Sequence, residues 1–129
     1  MRATNAVDAR DPVPDKAGWM ARANKSIAGG PFVAKGYWIV NNIIHDTETY
    51  EKYKAANAAP LAAFGARFLV RAGNQDIREG TANPRTVVIE FPSYADAIDC
   101  YESDAYQQAI SVRLPAAEGS HIIVEGYDG

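Results

Sequence analysis

The sequence predicts an α+β fold of the ferredoxin-like kind, in which two helices cover one face of a four-stranded antiparallel sheet. Strand and helix patterns follow one another in the order βαββαβ, that is strand–helix–strand–strand–helix–strand. With right-handed crossovers, this order places the first and third strands at the centre of the sheet. Both central strands are largely apolar on both faces, as in a sheet that is covered on both sides. Since the helices cover only one face, we expect a second copy of the chain to cover the other.

The first strand and the first helix are predicted from residue spacing. Residues 36–44 alternate between two largely apolar faces, and the polar residues 45–46 end the strand. Asp46 or Thr47 then caps a helix. Pro60 is expected to bend or restart this helix, and Gly65 is expected to end it. The helix carries a stripe at helical spacing, which consists of Tyr50, Tyr53, Asn57, Leu61 and Phe64.

The later elements are strands and capped helices. Residues 66–70 are the second predicted strand, with residues 75–79 as a candidate continuation after a bulge at 73–74. The third strand, residues 86–91, is rich in β-branched residues and ends at Pro92. Ser93 caps a helix over residues 94–101, and Ser103 caps a further one over residues 104–114. Residues 121–125 form the last strand.

Residues 35–129 are predicted to form one domain, which an extension at residues 1–34 precedes. Residues 1–13 show no periodicity and are expected to be disordered. Residues 14–28 are expected to form a short helix that packs through Trp19 on the domain or on a partner subunit. An arm that moves freely in solution is the alternative, and the sequence leaves it open.

Charge and composition exclude several classes of partner. Residues 35–129 hold eight Lys/Arg and thirteen Asp/Glu, a net charge of −5, so we expect no nucleic-acid partner. No run approaches 18 apolar residues, and the first residues are polar, so we expect neither a membrane span nor a secretory signal. A cytoplasmic location follows as the default. The single cysteine, Cys100, is expected to be a small buried side chain.

Segments spread over residues 35–126 resemble the DUF1330 family, a domain of unknown function in the dimeric α/β-barrel superfamily. The resemblance rests on residues 35–38, 65–69, 88–93, 101–103 and 124–126, with Asp46, Tyr50, Tyr53, Tyr106 and Arg113 between them. They span about three-quarters of the chain in the right order. The resemblance implies a homodimer in which two sheets pair face to face as a dimeric α/β barrel. It implies no particular reaction.

Strong catalytic signatures are absent from the sequence. It contains no glycine-rich phosphate loop, no nucleophile elbow and no paired Cys-x-x-Cys motif. Ser120 and His121 are neighbours on a strand, so they point to opposite faces and cannot form a dyad. Residues 45–51 are better explained as a capped helix start than as metal ligands. We therefore expect no metal and no cofactor.

The candidate site consists of polar residues at positions where apolar ones would complete the core. Glu90 lies inside an apolar central strand and Arg67 begins another strand, so these two are the candidate catalytic residues. Together, the polar residues at these positions predict a pocket between the sheet and the helices that binds a small polar organic molecule. The candidate substrate-binding residues are Tyr37, Asn41, Tyr50, Tyr53, Tyr101 and Tyr106.

Three functions remain open on these residues. The first is a cofactor-free enzyme acting on a small organic molecule, similar to monooxygenases or isomerases on this barrel, which is an analogy of fold alone. The second is a binding module that uses the same pocket without turnover. The third is a structural dimer, in which the polar residues form a network inside the fold and the arm recruits a partner.

Overall fold

The computed structural model describes residues 33–127 of the chain. The predicted helix at 14–28 and the expected contact of Trp19 lie outside the described residues. Within them the sheet has the strand order β2–β3–β1–β4 and is antiparallel throughout, which confirms the predicted fold class. The elements are β1 (Gly36–Ile44), α1 (Thr47–Ala63), β2 (Arg67–Arg71), β3 (Arg85–Phe91), α2 (Tyr94–Glu102), α3 (Asp104–Arg113) and β4 (Ala117–Glu125).

Two strand boundaries differ from the prediction. β2 ends at Arg71 and residues 75–79 do not continue it, while the irregularity in its pairing lies between Phe68 and Val70. β4 begins at Ala117 rather than at residue 121. Residues 117–120 contain no β-branched or aromatic side chain, so intrinsic preference does not mark them as a strand. These residues nevertheless form part of a strand because they pair with β1.

The helices begin at the predicted side-chain caps. Asp46, Ser93 and Ser103 each accept a hydrogen bond from the backbone N–H three residues further on, at 3.1, 3.0 and 3.2 Å. α1 continues through Pro60 to Ala63 without a restart. The proline lacks one N–H donor, but the other residues of the helix keep their backbone hydrogen bonds. None of the helices within residues 33–127 has the length and apolar character needed to span a membrane.

The pairing of the central strands sorts their side chains between two faces of the sheet. Trp38 lies opposite Ile89 and Ile123 and faces the helices, whereas Tyr37 lies opposite Glu90 on the other side. Successive residues continue this alternation along each strand. We call the side away from the helices the open face. It comprises Tyr37, Ile39, Asn41 and Ile43 on β1, Thr86, Val88 and Glu90 on β3, Glu118, Ser120, Ile122 and Val124 on β4, and Arg67 and Val70 on β2.

The core lies between the sheet and the helices and is centred on Trp38. The Trp38 indole is 1% exposed, and its N–H donates to the carbonyl oxygen of Ala97 at 2.9 Å. Its ring lies 4.9 Å from the Phe91 ring and 4.8 Å from the Tyr106 ring, measured between centroids. Cys100 is fully buried, as predicted, and burial raises the pKa of its thiol to about 12. The predicted stripe of α1 is confirmed by the buried residues Tyr50, Tyr53, Asn57 and Leu61.

The start of β1 approaches the start of α2 so closely that only glycine fits at position 36. A Cβ on Gly36 would lie 2.5 Å from the carbonyl oxygen of Ser93 and 2.6 Å from the Cα of Tyr94. Both are backbone atoms, which cannot give way without disturbing the helix cap. This contact fixes α2 on the sheet, and with α2 the carbonyl group of Ala97 that holds Trp38.

The open face carries exposed aliphatic side chains on both edge strands, and the helices do not cover them. Ile122, Val124 and Val70 are 53%, 43% and 41% exposed. The loop that follows β2 reaches this face at Asn41, through hydrogen bonds from Asn83. The helices therefore cover one face of the sheet, as predicted, and the other face presents aliphatic side chains to solvent.

Candidate functional site

The sheet separates the predicted site residues into two groups. Glu90 points away from the helices, while its neighbours Ile89 and Phe91 point into the core, because side chains alternate along a strand. A single chain therefore does not bring Glu90 and Arg67 into one pocket with the helix tyrosines. The open-face group is Tyr37, Asn41, Arg67 and Glu90, and the helix group is Tyr50, Tyr53, Tyr101 and Tyr106.

Arg67, Glu90 and Tyr37 form a connected polar cluster on the open face. Nε of Arg67 lies 3.4 Å from Oε1 of Glu90, and the Tyr37 hydroxyl donates to Oε2 at 3.3 Å. The Glu90 side chain is 17% exposed and that of Arg67 is 71% exposed. Burial, and then the Glu90 charge, raises the pKa of Tyr37, so the phenol keeps its proton and acts as a donor. Both carboxylate oxygens of Glu90 thus have a partner on this face.

Asn41 fastens the loop between β2 and β3 to the open face. Its Nδ2 donates to the carbonyl oxygen of Asn83 and to the hydroxyl of Thr86, both at 3.1 Å. Its Oδ1 accepts from the backbone N–H of Asn83 at 2.8 Å. Gln75 adds a bond to the same Asn83 carbonyl at 2.8 Å. The side-chain amide of Asn41 is therefore occupied within the chain.

A pocket lies between the sheet, α1 and α3, and we call it the helix-side pocket. Trp38 and His121 line it from the sheet, Tyr53 from α1 and Arg113 from α3. Its interior volume is about 30 Å³, room for one or two water-sized groups. It adjoins an open cleft of about 300 Å³. The pocket and the cleft share the lining residues Tyr50, Lys54, Arg71 and Arg85.

Two of the helix tyrosines line the pocket and two support it from behind. Tyr50 and Tyr53 belong to the lining. The hydroxyls of Tyr53 and Tyr106 share a hydrogen bond of 2.5 Å, and burial raises the pKa of both phenols. Tyr101 packs edge-on against His121, with 5.0 Å between the ring centroids. These contacts hold the pocket walls in place.

His121 is a pocket residue that has no role in the sequence-based prediction. Its ring packs against Trp38 at a centroid distance of 4.6 Å. Burial, and then the charge of Arg113, lowers the pKa of the imidazole to about 4, so it is neutral at neutral pH. The sequence did carry a signal for this position. His121 and Ile123 are two residues apart on β4, so they share one face of the strand, and Ile123 packs against the core.

Arg85 and Arg113 also line the pocket and were likewise given no role. The Arg85 guanidinium lies 5.0 Å from the centroid of the Tyr50 ring, and its Nη1 donates to the Tyr50 hydroxyl at 2.9 Å. The Arg113 guanidinium lies 5.5 Å from the centroid of the Tyr53 ring. Arg113 is one of the residues on which the family resemblance rests, and that was its only signal in the sequence.

Three buried polar atoms around the pocket have no hydrogen-bond partner within the described part of the chain. They are Nδ2 of Asn42, Nε of Arg113 and Nε2 of His121. Arg113 and His121 line the pocket, and Oδ1 of Asn42 accepts a 3.4 Å hydrogen bond from Arg85, which lines it too. Buried polar groups in proteins are normally paired. Their concentration here makes the helix-side pocket the candidate functional site.

The chemistry open to this pocket follows from its donors. N–H groups of arginine and asparagine can orient and neutralise an oxygen-bearing group, and a neutral imidazole can accept a proton. Among residues 33–127, no three His, Cys, Asp or Glu side chains lie close enough together to hold a metal ion.

Residues 35–127 match the family model described as "Domain of unknown function (DUF1330)". No curated protein sequence matches the chain. The crystal structure of the RPA0582 protein of unknown function from Rhodopseudomonas palustris is similar, with 13% identity and a TM-score of 0.61 over 92% of this chain and 97% of that one. SnoaB from Streptomyces nogalater, described as a cofactor-independent oxygenase, has 11% identity and a TM-score of 0.50 over 75% and 97%. At identities this low, the structural similarity shows a shared fold and nothing more.

Protonation of His121 should destabilise the fold in mild acid. The folded-state pKa of about 4 lies below the ordinary value of 6.5, so the unfolded chain binds this proton more readily. The contribution of His121 is therefore present above pH 6.5 and is lost as the pH falls towards 4. We expect the free energy of unfolding of the wild type to fall by about 1–3 kcal/mol more than that of His121→Phe over this range.

Urea unfolding curves at a series of pH values measure this difference. His45→Gln, which removes the exposed histidine outside the pocket, is the matched control. Parallel profiles for the wild type and His121→Phe would show that His121 is not a buried neutral group.

Proposed function

The chain belongs to the DUF1330 family of domains of unknown function, so its activity has to be inferred from its own residues, and we propose that it binds a small polar organic molecule in the helix-side pocket. The observation that carries the proposal is the pair of buried atoms in the pocket lining, Nε of Arg113 and Nε2 of His121, that have no hydrogen-bond partner among residues 33–127. A buried polar group without a partner costs about 1–3 kcal/mol. A ligand with hydrogen-bonding groups would supply the missing partners.

The dimensions and walls of the site support this proposal. The cleft of about 300 Å³ is at the lower end of the range for small-molecule sites, roughly 300–1,000 Å³. Trp38, Tyr50 and Tyr53 supply aromatic surface, and Lys54 and Arg85 supply polar groups near the solvent side. The inner pocket has mostly apolar walls with a few convergent polar groups, as is typical of ligand sites, and the cleft outside it is lined mainly by polar and charged residues.

Catalysis in the same pocket is the second candidate function. The observation that favours it is the neutral imidazole of His121, packed against Trp38 beside the charge of Arg113. Although its lowered pKa makes it a weak base, it can accept a proton from a C–H or O–H group that the neighbouring Arg113 cation makes more acidic, and the electron pair then stays on the ligand near that cation. Such a step needs no cofactor, which fits the description of SnoaB as a cofactor-independent oxygenase. Exchange of ligand hydrogen for deuterium in heavy water would distinguish an enzyme from a binding protein.

We also propose that two copies pair through their open faces as a dimeric α/β barrel. Ile122, Val124 and Val70 give this face exposed aliphatic side chains on both edge strands. Burial of roughly 800 Å² on each partner would be ordinary for a stable interface. Around a two-fold axis the same patch meets itself, so one surface suffices for both copies.

In such a dimer, Glu90 and Arg67 would lie in or beside the interface. Catalytic roles for these two residues stay a prediction. Both side chains lie on the open face and not in the helix-side pocket. Loss of one partner from a buried ion pair leaves an uncompensated charge. We therefore propose that the pair, with Tyr37, helps to set the register of the two sheets.

The chain should be a homodimer at micromolar concentration. Light scattering should give twice the chain mass of 14.0 kDa. Ile122→Glu, which puts a charge on the open face at an exposed position of β4, should give the monomer mass, because the carboxylate would have to be desolvated in the interface. Leu114→Glu is the matched control, since Leu114 is 64% exposed at the end of α3 and lies off the open face. A monomeric wild type would contradict the proposed dimer.

Filling the cleft should abolish ligand binding without unfolding the protein. Thr47 is an exposed residue at the start of α1 and lines the cleft, so Thr47→Trp would place an indole there. Polar organic molecules found by ligand-detected NMR screening should bind this variant about tenfold more weakly or worse, because the indole takes up the space of the ligand. Ala59→Trp, on the exposed surface of the same helix outside the cleft, is the control and should bind like the wild type. Equal binding to both variants would locate the ligand elsewhere.

A further inference from the structure

We propose that the ligand of the helix-side pocket is a small organic anion, a carboxylate or enolate on a planar unsaturated body, whose negative group is held by Arg113 and Arg85. This inference rests on the proposed binding function and adds to it the chemical class of the ligand. It is carried by the balance of charges around the pocket, by the geometry of the guanidinium groups and by the shape of the space between them.

The charges around the pocket and the cleft are strongly one-sided. Their lining residues include four cations, Lys54, Arg71, Arg85 and Arg113, and one anion, Glu51. Glu51 already pairs with Lys54 at 3.1 Å. Three guanidinium groups are therefore left over, although residues 35–129 as a whole carry a net charge of −5. A concentration of positive charge that runs against the bulk charge of the domain favours an anionic occupant.

None of these three arginines has a carboxylate partner among residues 33–127. The ion pairs within this range join His45 to Glu118, Lys54 to Glu51, Arg67 to Glu90 and Arg78 to Asp76. The pocket arginines lie over aromatic rings instead: Arg71 over Phe68, Arg85 over Tyr50 and Arg113 over Tyr53. Stacking uses the face of a guanidinium and leaves its in-plane N–H groups available to oxygen ligands. Arg85 already donates through Nη1 to Tyr50 and Asn42, so only its remaining N–H groups can serve a ligand.

The unpartnered atoms specify what the ligand must offer. Nε of Arg113 and Nδ2 of Asn42 are both donors, and Asn42 is 2% exposed. The neighbouring Oδ1 of Asn42 accepts a hydrogen bond from Arg85, which fixes the orientation of the amide. Asn42 lies behind Arg85 and lines neither the pocket nor the cleft, whereas Arg113 lines the pocket and its Nε has no partner among residues 33–127. A carboxylate offers acceptor oxygens in the plane that such a guanidinium recognises.

The shape of the site places the two parts of the ligand. The inner pocket of about 30 Å³ takes a group of a few atoms, and Arg113 and His121 line it. The cleft of about 300 Å³ takes the body, and Tyr50, with the Arg85 guanidinium over its ring, lines both spaces. A planar unsaturated body fits against an aromatic wall, because stacked rings gain more than their buried area alone provides.

Matched pairs of acids and amides test the proposal. Benzoate with benzamide, and 4-hydroxybenzoate with 4-hydroxybenzamide, have nearly the same shape and differ in charge. The dissociation constants are measured by NMR titration, with the indole N–H signal of Trp38 as the reporter of the pocket. In the wild type we expect each carboxylate to bind roughly tenfold or more tightly than its amide.

Arginine variants locate the source of this preference. Arg113→Gln should reduce the preference for the acid to about threefold or less, since the charge-assisted bond is lost. Arg113→Lys keeps the charge but loses the planar guanidinium, so it should give an intermediate preference for the acid. It also serves as the test if Arg113→Gln does not fold. Arg78→Gln removes an exposed arginine of the β2–β3 loop that lies outside the pocket lining, and it should keep the full preference.

The outcomes separate this inference from the function on which it rests. If acid and amide bind the pocket equally, the anion proposal falls and the proposed binding of a polar molecule stands. The same holds if the preference survives in Arg113→Gln and Arg113→Lys alike. If neither these probes nor the screened molecules shift the Trp38 signal, both proposals fall.

Discussion

The register between β1 and β3 is the constraint on which the rest of the structure depends. It sets Trp38 opposite Ile89 on the helix side and Tyr37 opposite Glu90 on the open face. A slip of one residue would reverse every side chain of a strand and would expose the indole at the centre of the core. The close approach of Gly36 to the cap of α2 opposes such a slip, because any other residue there would collide with the backbone at position 93.

Two polar systems follow from this register, and the sheet keeps them apart. On the open face, the charge of Glu90 is met by Arg67 and Tyr37, so this cluster is internally satisfied. On the helix side, Arg113 and His121 line the pocket with buried atoms that have no partner within the described part of the chain. A satisfied cluster within an apolar patch suits an interface, and an unsatisfied one beside a cleft suits a ligand. This difference supports assigning assembly and binding to opposite faces of one sheet.

The fold was largely predictable from the sequence because its signals are local. The caps at Asp46 and Ser93 and the spacing of Tyr50 and Tyr53 act within a few residues of chain. The site was only partly predictable. The central strands are apolar on both sides, so their pattern does not reveal which side meets the helices, and Glu90 could not be assigned to a face. The role of Arg85 depends on contacts with α1 and β1, which are distant in the chain.

We propose that the helix-side pocket, and not the open face, holds an anionic ligand. A crystal structure of the protein with 4-hydroxybenzoate is the decisive test. We expect carboxylate oxygens within hydrogen-bond distance of Nε of Arg113, with the ring beside Tyr50 and the open faces of two copies in contact. Ligand density beside Arg67 between the two sheets, with the helix-side pocket unchanged, would contradict it.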